Sequence, residues 1–177
     1  MILKNKYILA LKITGFIALV AIIFSIAACG VYGFSDKGGI PPDIKTVKIN
    51  AIEKRAPLDN IQLRQRLADR LRQKIVGQTR LTQTNSDSAD WEINISLDQY
   101  TPSTSAISNQ TVVTNRLTVA LHVIRTSWKN EDKKEYDVSR SFEFPATQSL
   151  QQAENGLMDE MTRTLTDEIF NKLFSDW

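Results

Sequence analysis

The stretch LDNIQLRQRLADRLRQKIV, Leu58 to Val76, decides how this chain folds. Leu63, Leu67, Leu71 and Ile75 recur every fourth residue and are joined by Ile61 and Ala68, which draws one apolar stripe along a helix. Asp59 or Asn60 is placed to cap its start, since either side chain can accept a bond from an orphan N–H of the first turn. Gly77 stands where a left-handed residue is wanted after the last turn. A helix with a single stripe needs a surface to lie on, and the flanking residues supply one.

On the amino-terminal side, Ile44 to Ile52 alternates, with Val47, Ile49 and Ala51 on one face and Lys48 and Asn50 on the other, as a half-buried strand does. On the carboxyl side, three strand regions are separated by polar turns at Asn85–Asp90, Pro102–Gln110 and Lys129–Lys134. Trp91, Ile93, Ile95 and Leu97 alternate with polar residues; Leu117, Val119, Leu121 and Val123 do the same; Tyr136, Val138, Phe142 and Phe144 share a third face. Arg80 to Thr84 adds a short stretch of strand. From Ser149 to Trp177 the spacing is helical again, with Leu157, Met161, Leu165, Ile169 and Leu173 one turn apart and Phe174 and Trp177 finishing the stripe. The order strand, helix, three or four strands, helix implies an α+β fold. It predicts a two-layer sandwich, with two long helices packed on one face of a mostly antiparallel or mixed sheet of about four strands, because each element has one apolar face to bury.

The amino terminus is organised differently. Lys4, Lys6 and Lys12 open it, an apolar run from Ile13 to Ala28 follows, and Ile26-Ala27-Ala28 stands directly before Cys29, the layout of a secretory signal peptide. Signal peptidases read small residues before the cut, and a cysteine just after them can be diacylated on sulfur. The pattern resembles the lipobox of bacterial lipoproteins, with Ile26 in place of the commoner leucine, so lipidation is expected at Cys29. The alternative is an uncut membrane anchor, but the run is interrupted by Thr14 and Gly15 and falls short of the ~20 apolar residues that a span needs. The organisation expected is a lipoprotein signal peptide over residues 1–28, a flexible Gly- and Pro-rich lipidated tether over 29–42, and one α+β domain over 43–177.

Loss of residues 1–28 removes three lysines and no acids, so Lys+Arg falls from 22 to 19 against 20 Asp+Glu and the net charge from +2 to −1. The basic balance belongs to the signal, and nothing in it favours nucleic acid. Cys29 is the one cysteine, so the domain is held by packing without a disulfide.

Catalysis needs a constellation that the sequence does not assemble. His122 is the one histidine and falls on the polar face of its strand, which leaves no catalytic residue, no metal set and no cofactor to be expected. Asp159, Glu160, Asp167 and Glu168 crowd the last helix, most simply as a solvated face. The Gly38-Gly39 pair precedes Ile40 and two prolines, so it opens no phosphate-binding helix. The first helix offers more. Arg64, Arg66, Arg70, Arg72 and Lys74 crowd its polar side, with Arg66, Arg70 and Lys74 four residues apart on one line. Guanidinium groups so arrayed can make bidentate contacts with the phosphates of a glycolipid; the plainer account is a solvated helix face partly balanced by Asp69. Tyr32 and Phe34 would place aromatic rings near the lipidated end, and the Thr- and Ser-rich stretch from Thr101 to Thr114 reads as an exposed loop.

The whole pattern resembles the lipopolysaccharide-assembly lipoprotein family, LptE. The likeness lies in Cys29-Gly30-Val31-Tyr32-Gly33-Phe34 at the lipidated end, in Ile44-Lys45-Thr46-Val47-Lys48-Ile49 as first strand, and in the arginine-rich helix that follows. The resemblance implies a non-enzymatic, lipid-anchored outer-membrane protein. It would sit as a plug inside a large LptD-type β-barrel and assist transport of lipopolysaccharide, which the family is thought to bind directly. Gly30 agrees with outer-membrane delivery, since the aspartate that retains lipoproteins at the inner membrane is absent. An anchored binding lipoprotein with another envelope partner is the alternative.

Overall fold

The fourfold spacing and the alternating segments do produce a sheet with helices on one side. The computed structural model describes residues 40–108 and 111–175, with side chains at 106–113 excepted; the signal peptide, Cys29, most of the tether and Trp177 lie outside the described residues. In chain order the elements are β1 (Thr46–Ile49), β2 (Glu53–Lys54), α1 (Ile61–Gln78), β3 (Thr82–Gln83), β4 (Trp91–Ser108), β5 (Thr111–Ser127), β6 (Asp132–Pro145) and α2 (Leu150–Phe174). The sheet runs β3-β1-β4-β5-β6, with β2 also on β4. β1 is parallel to both its neighbours, whereas β4, β5 and β6 form an antiparallel meander. Because β1 and β3 are parallel, the chain must cross over between them, and α1 is that crossover.

The described sheet has six strands where about four were expected. β3 is the short strand foreseen at Arg80–Thr84, and β2 arises from a local irregularity. Ile49 pairs with Ile93 and Glu53 with Ser96, so the first row carries one extra residue against β4. That residue shifts the alternation: Ala51, expected inside, is exposed, and Ile52 is buried in its place.

A larger correction concerns Pro102–Gln110, expected as a turn and, with the residues to Thr114, as a loop. β4 and β5 stay paired from Pro102↔Leu117 out to Ser108↔Thr111, so this stretch is the arm of a long hairpin. Its threonines suit an extended backbone, but without apolar alternation the pattern gave no strand signal. Pro102 is tolerated for a geometric reason. It shares the helix-facing row with Leu97, whose carbonyl turns to the β2 side and accepts from the Arg55 and Ala56 N–H groups. The N–H that proline lacks is therefore directed at the free edge of β4, where no ladder bond is lost.

Helix-facing residues of every long strand are buried against α1 and α2 in one core: Trp91, Ile93, Ile95 and Leu97 on β4, Leu117 to Val123 on β5, and Val138, Phe142 and Phe144 on β6. α1 contributes Leu63, Leu67, Ala68, Leu71 and Ile75; α2 contributes Met158, Met161, Leu165, Ile169 and Leu173, with Leu157 half-buried beside them. Asn60 caps α1 by accepting from Leu63 N, and Ser149 caps α2 in a reciprocal box with Gln152. Gly77 lies inside α1 and does not end it. Thr79 stops the helix in an extended conformation, its hydroxyl donating to the Ile75 carbonyl at 2.7 Å and so replacing the left-handed glycine.

Candidate functional site

The five cations of α1 are divided by the fold into two groups. Arg64 is bound on the sheet side: its Nε and Nη2 each donate to Asp59 at 2.7 Å, and its Nη1 donates to the Ile52 carbonyl at 2.7 Å. Asp59 precedes the cap and Arg64 lies one turn in, so the pair closes the helix start as an ionic staple; the bond to Arg64 holds the Asp59 carboxyl below its ordinary range. Arg72 is likewise occupied, by Asp69 at 2.8 Å and the Ile49 carbonyl at 3.3 Å.

Arg66, Arg70 and Lys74 are brought together on the side of α1 that faces α2. Arg70, Gln73, Lys74, Gly77 and Gln78 line, with Asp167 of α2, an open groove of about 600 Å³. Lys74 reaches Asp167 at 2.6 Å and lies 5.0 Å from the Phe170 ring centroid. Arg66 makes only a long 3.5 Å contact with Asp159, with both side chains exposed, a geometry worth little in water. Arg70 is exposed, and no ion pair holds it among the described residues. The groove thus offers the Arg70 guanidinium and the Lys74 ammonium, the latter held by Asp167, with the loosely paired Arg66 one turn earlier on α1. Such a set can take a phosphate from solvent but moves no proton or bond.

His122 points to the helix-free face, where its Nδ1 lies 2.7 Å from Asp137 and its Nε2 3.4 Å from Glu135. Both ring nitrogens are committed to carboxylates, which raises its pKa above the ordinary value, chiefly through the Asp137 bond. The described residues contain no cluster of three or more metal-ligating side chains. Among them no helix is long and apolar enough to cross a membrane.

Over this ground the sequence matches a known profile. The model of the Lipopolysaccharide-assembly family, LptE, covers residues 44–173, which is nearly the whole described domain. This chain belongs to the LptE family. It is a family of non-enzymatic lipopolysaccharide-assembly proteins, as the resemblance in the sequence implied. No curated protein sequence matches the chain.

Among solved structures, protein CT253 of Chlamydia trachomatis is similar at a TM-score of 0.48 and 9% identity, over 73% of this chain and 95% of that one. Rare lipoprotein B of Shewanella oneidensis is similar at a TM-score of 0.48 and 13% identity, over 71% and 92%. Lipoprotein GNA1162 of Neisseria meningitidis is similar at 0.41 and 11%, over 72% and 99%. In this LptE chain one charged residue escaped the sequence reading. Arg125 is buried on the helix-facing row, and the signal was available, because its position continues the alternation of Leu117 to Val123.

Proposed function

We propose that this protein is lipidated on Cys29 after removal of residues 1–28, is carried to the outer membrane, and plugs an LptD-type barrel there to assist lipopolysaccharide transport to the outer leaflet. The observation that carries the reading is the helix-free face of the sheet. Thr101, Ser103, Thr118, Ala120, Ser139 and Ser141 line it with small, mostly hydroxyl side chains that stand exposed or half-buried, and Thr118 and Ser141 bond each other across the strands at 3.1 Å. A patch of short hydrogen-bonding groups flanked by the charged side chains of Arg116, Glu143, His122 and Asp137, and backed by a packed core, suits the polar inner wall of a wide barrel. The LptE membership agrees with a role in lipopolysaccharide assembly.

Within this proposal Arg66, Arg70 and Lys74 are the lipopolysaccharide contacts, through phosphate, while Arg64 and Arg72 serve the fold. A photo-cross-linking amino acid at Ser139 or Ser141 in the lipidated protein tests the docking face directly. The expected product is a covalent adduct with one large outer-membrane barrel. Adducts with a different envelope protein, and none with a barrel, would move the reading to an anchored binding lipoprotein.

A further inference from the structure

Among the described residues, the buried side-chain nitrogens and oxygens that lack a hydrogen-bond partner are Trp91 Nε1, Arg125 Nε, Ser127 Oγ and Tyr136 Oη. All four come from one corner of the molecule. Trp91 of β4 stands directly opposite Ser127 of β5; Arg125 is one helix-facing position further along β5, and Tyr136 of β6 pairs with Val123, the next position again. The corner lies where α2 ends, with Phe174 packed 6.0 Å from Trp91 between ring centroids. Leaving one buried donor unmet is costly, and natural proteins seldom do so without a reason. Four in one place call for a common explanation.

The chemistry of the four atoms specifies the missing partner. The indole N–H and the guanidinium Nε–H can only donate, and the two hydroxyls can turn to donate as well, so whatever fits among them is an acceptor. Arg125 decides its charge. It is the one charged side chain among the buried described residues, 5% exposed, and its ion pair is a single bond of 3.1 Å to Asp132, whose side chain is 44% exposed. A buried guanidinium with an N–H open is best satisfied by a charged oxygen. Its plane is already fixed, since it lies 4.3 Å from the Trp91 ring centroid.

We infer that this corner is an oxyanion site, in which Trp91, Arg125, Ser127 and Tyr136 together bind a carboxylate or phosphate group. The site lies on the strands near the end of α2, apart from the α1 groove, and does not depend on the proposed barrel role.

The test uses the full-length protein labelled with ¹⁵N in detergent micelles, with the indole signals assigned from single Trp→Phe variants. Inorganic phosphate and acetate are titrated separately against chloride at constant ionic strength. The Trp91 indole and Arg125 Nε–H resonances should shift saturably with at least one anion. The Trp128 indole, which already donates to Glu92 at 3.2 Å, is the internal control and should stay in place. A response to phosphate alone identifies a tetrahedral ligand; a response to acetate alone, or to both, identifies a carboxylate-sized one. Ser127→Ala should weaken binding about tenfold, the loss of one bond to a charged group. No saturable shift with either anion, Trp91 moving only as Trp128 does, or unchanged affinity in S127A would overturn the assignment and leave the corner to water.

Discussion

Asp90 joins two parts of the chain that no local pattern connects. One of its oxygens accepts from Lys45 N, Thr46 N and Thr46 Oγ1, each at 2.9 Å, and its own N–H donates to Thr46 Oγ1 at 2.9 Å. This clip sets the start of β1 against the start of β4 and so fixes the register of a parallel pair with few other constraints. The Lys45 N–H above all, with those of Thr46, holds the carboxyl below the usual carboxylate range. The stability it contributes is therefore complete above its unfolded value of about 4 and is lost as pH falls through the lower folded value. Asp90→Ala should cost about 2–3 kcal/mol at pH 7, the loss of bonds to a charged acceptor. Urea denaturation at pH 7 and at pH 3 measures both effects, and the gap between wild type and variant should narrow at the lower pH. An equal gap at both would show that the carboxylate charge is not what holds the clip. Nothing in the sequence announces this contact, because its partners are 44 and 45 residues apart. Arg125 is the opposite case: its phase was legible, while the company of Trp91, Ser127 and Tyr136 required the strand register.

The helices are the elements most legible in the sequence, since a fourfold apolar stripe survives any detail of packing. Their ends are less so. Gly77 resembles a terminator, yet the Thr79 hydroxyl does that work and the glycine sits in helical turns with open space around it. Gly156 of α2 is in the same position. Alanine at either site should then stabilise the protein by roughly 0.5–1 kcal/mol, through helix propensity and a less free unfolded chain. Thermal or urea unfolding of Gly77→Ala and Gly156→Ala checks this, and a loss of stability in G77A would restore the left-handed conformation. The strands over the core were equally plain, because one face of each is apolar. The hairpin arm was not, because beyond the core neither face has to be.

At the scale of the molecule, the order of elements and the single apolar face of each were enough to give an α+β fold with both helices on one side of the sheet. What the order could not give was the grouping of the α1 cations. The five look alike in sequence, and the carbonyls of Ile49 and Ile52, together with Asp69 and Asp59, separate Arg72 and Arg64 from the rest. Replacing Arg66, Arg70 and Lys74 together by glutamine should leave the fold intact, since the Arg66–Asp159 pair is exposed and worth under about 1 kcal/mol, and the half-buried Lys74–Asp167 pair can be succeeded by a glutamine hydrogen bond. Lipopolysaccharide binding should weaken and lose much of its dependence on salt; binding unchanged across a salt series would remove the groove from the account. The two ends of the domain differ as well. The chain comes in at Ile40, whose carbonyl accepts from Arg80 after α1, and the hairpin arm projects from the opposite end. The proposed role assigns the arm and the helix-free face to a partner. The measurement that tests this most directly is a mild-detergent pull-down of the tagged protein from cell envelopes, with mass spectrometry of its partners and of its amino terminus. The account predicts a large outer-membrane barrel in stable complex with a chain that begins at acylated Cys29. An acylated chain recovered without any barrel would contradict it.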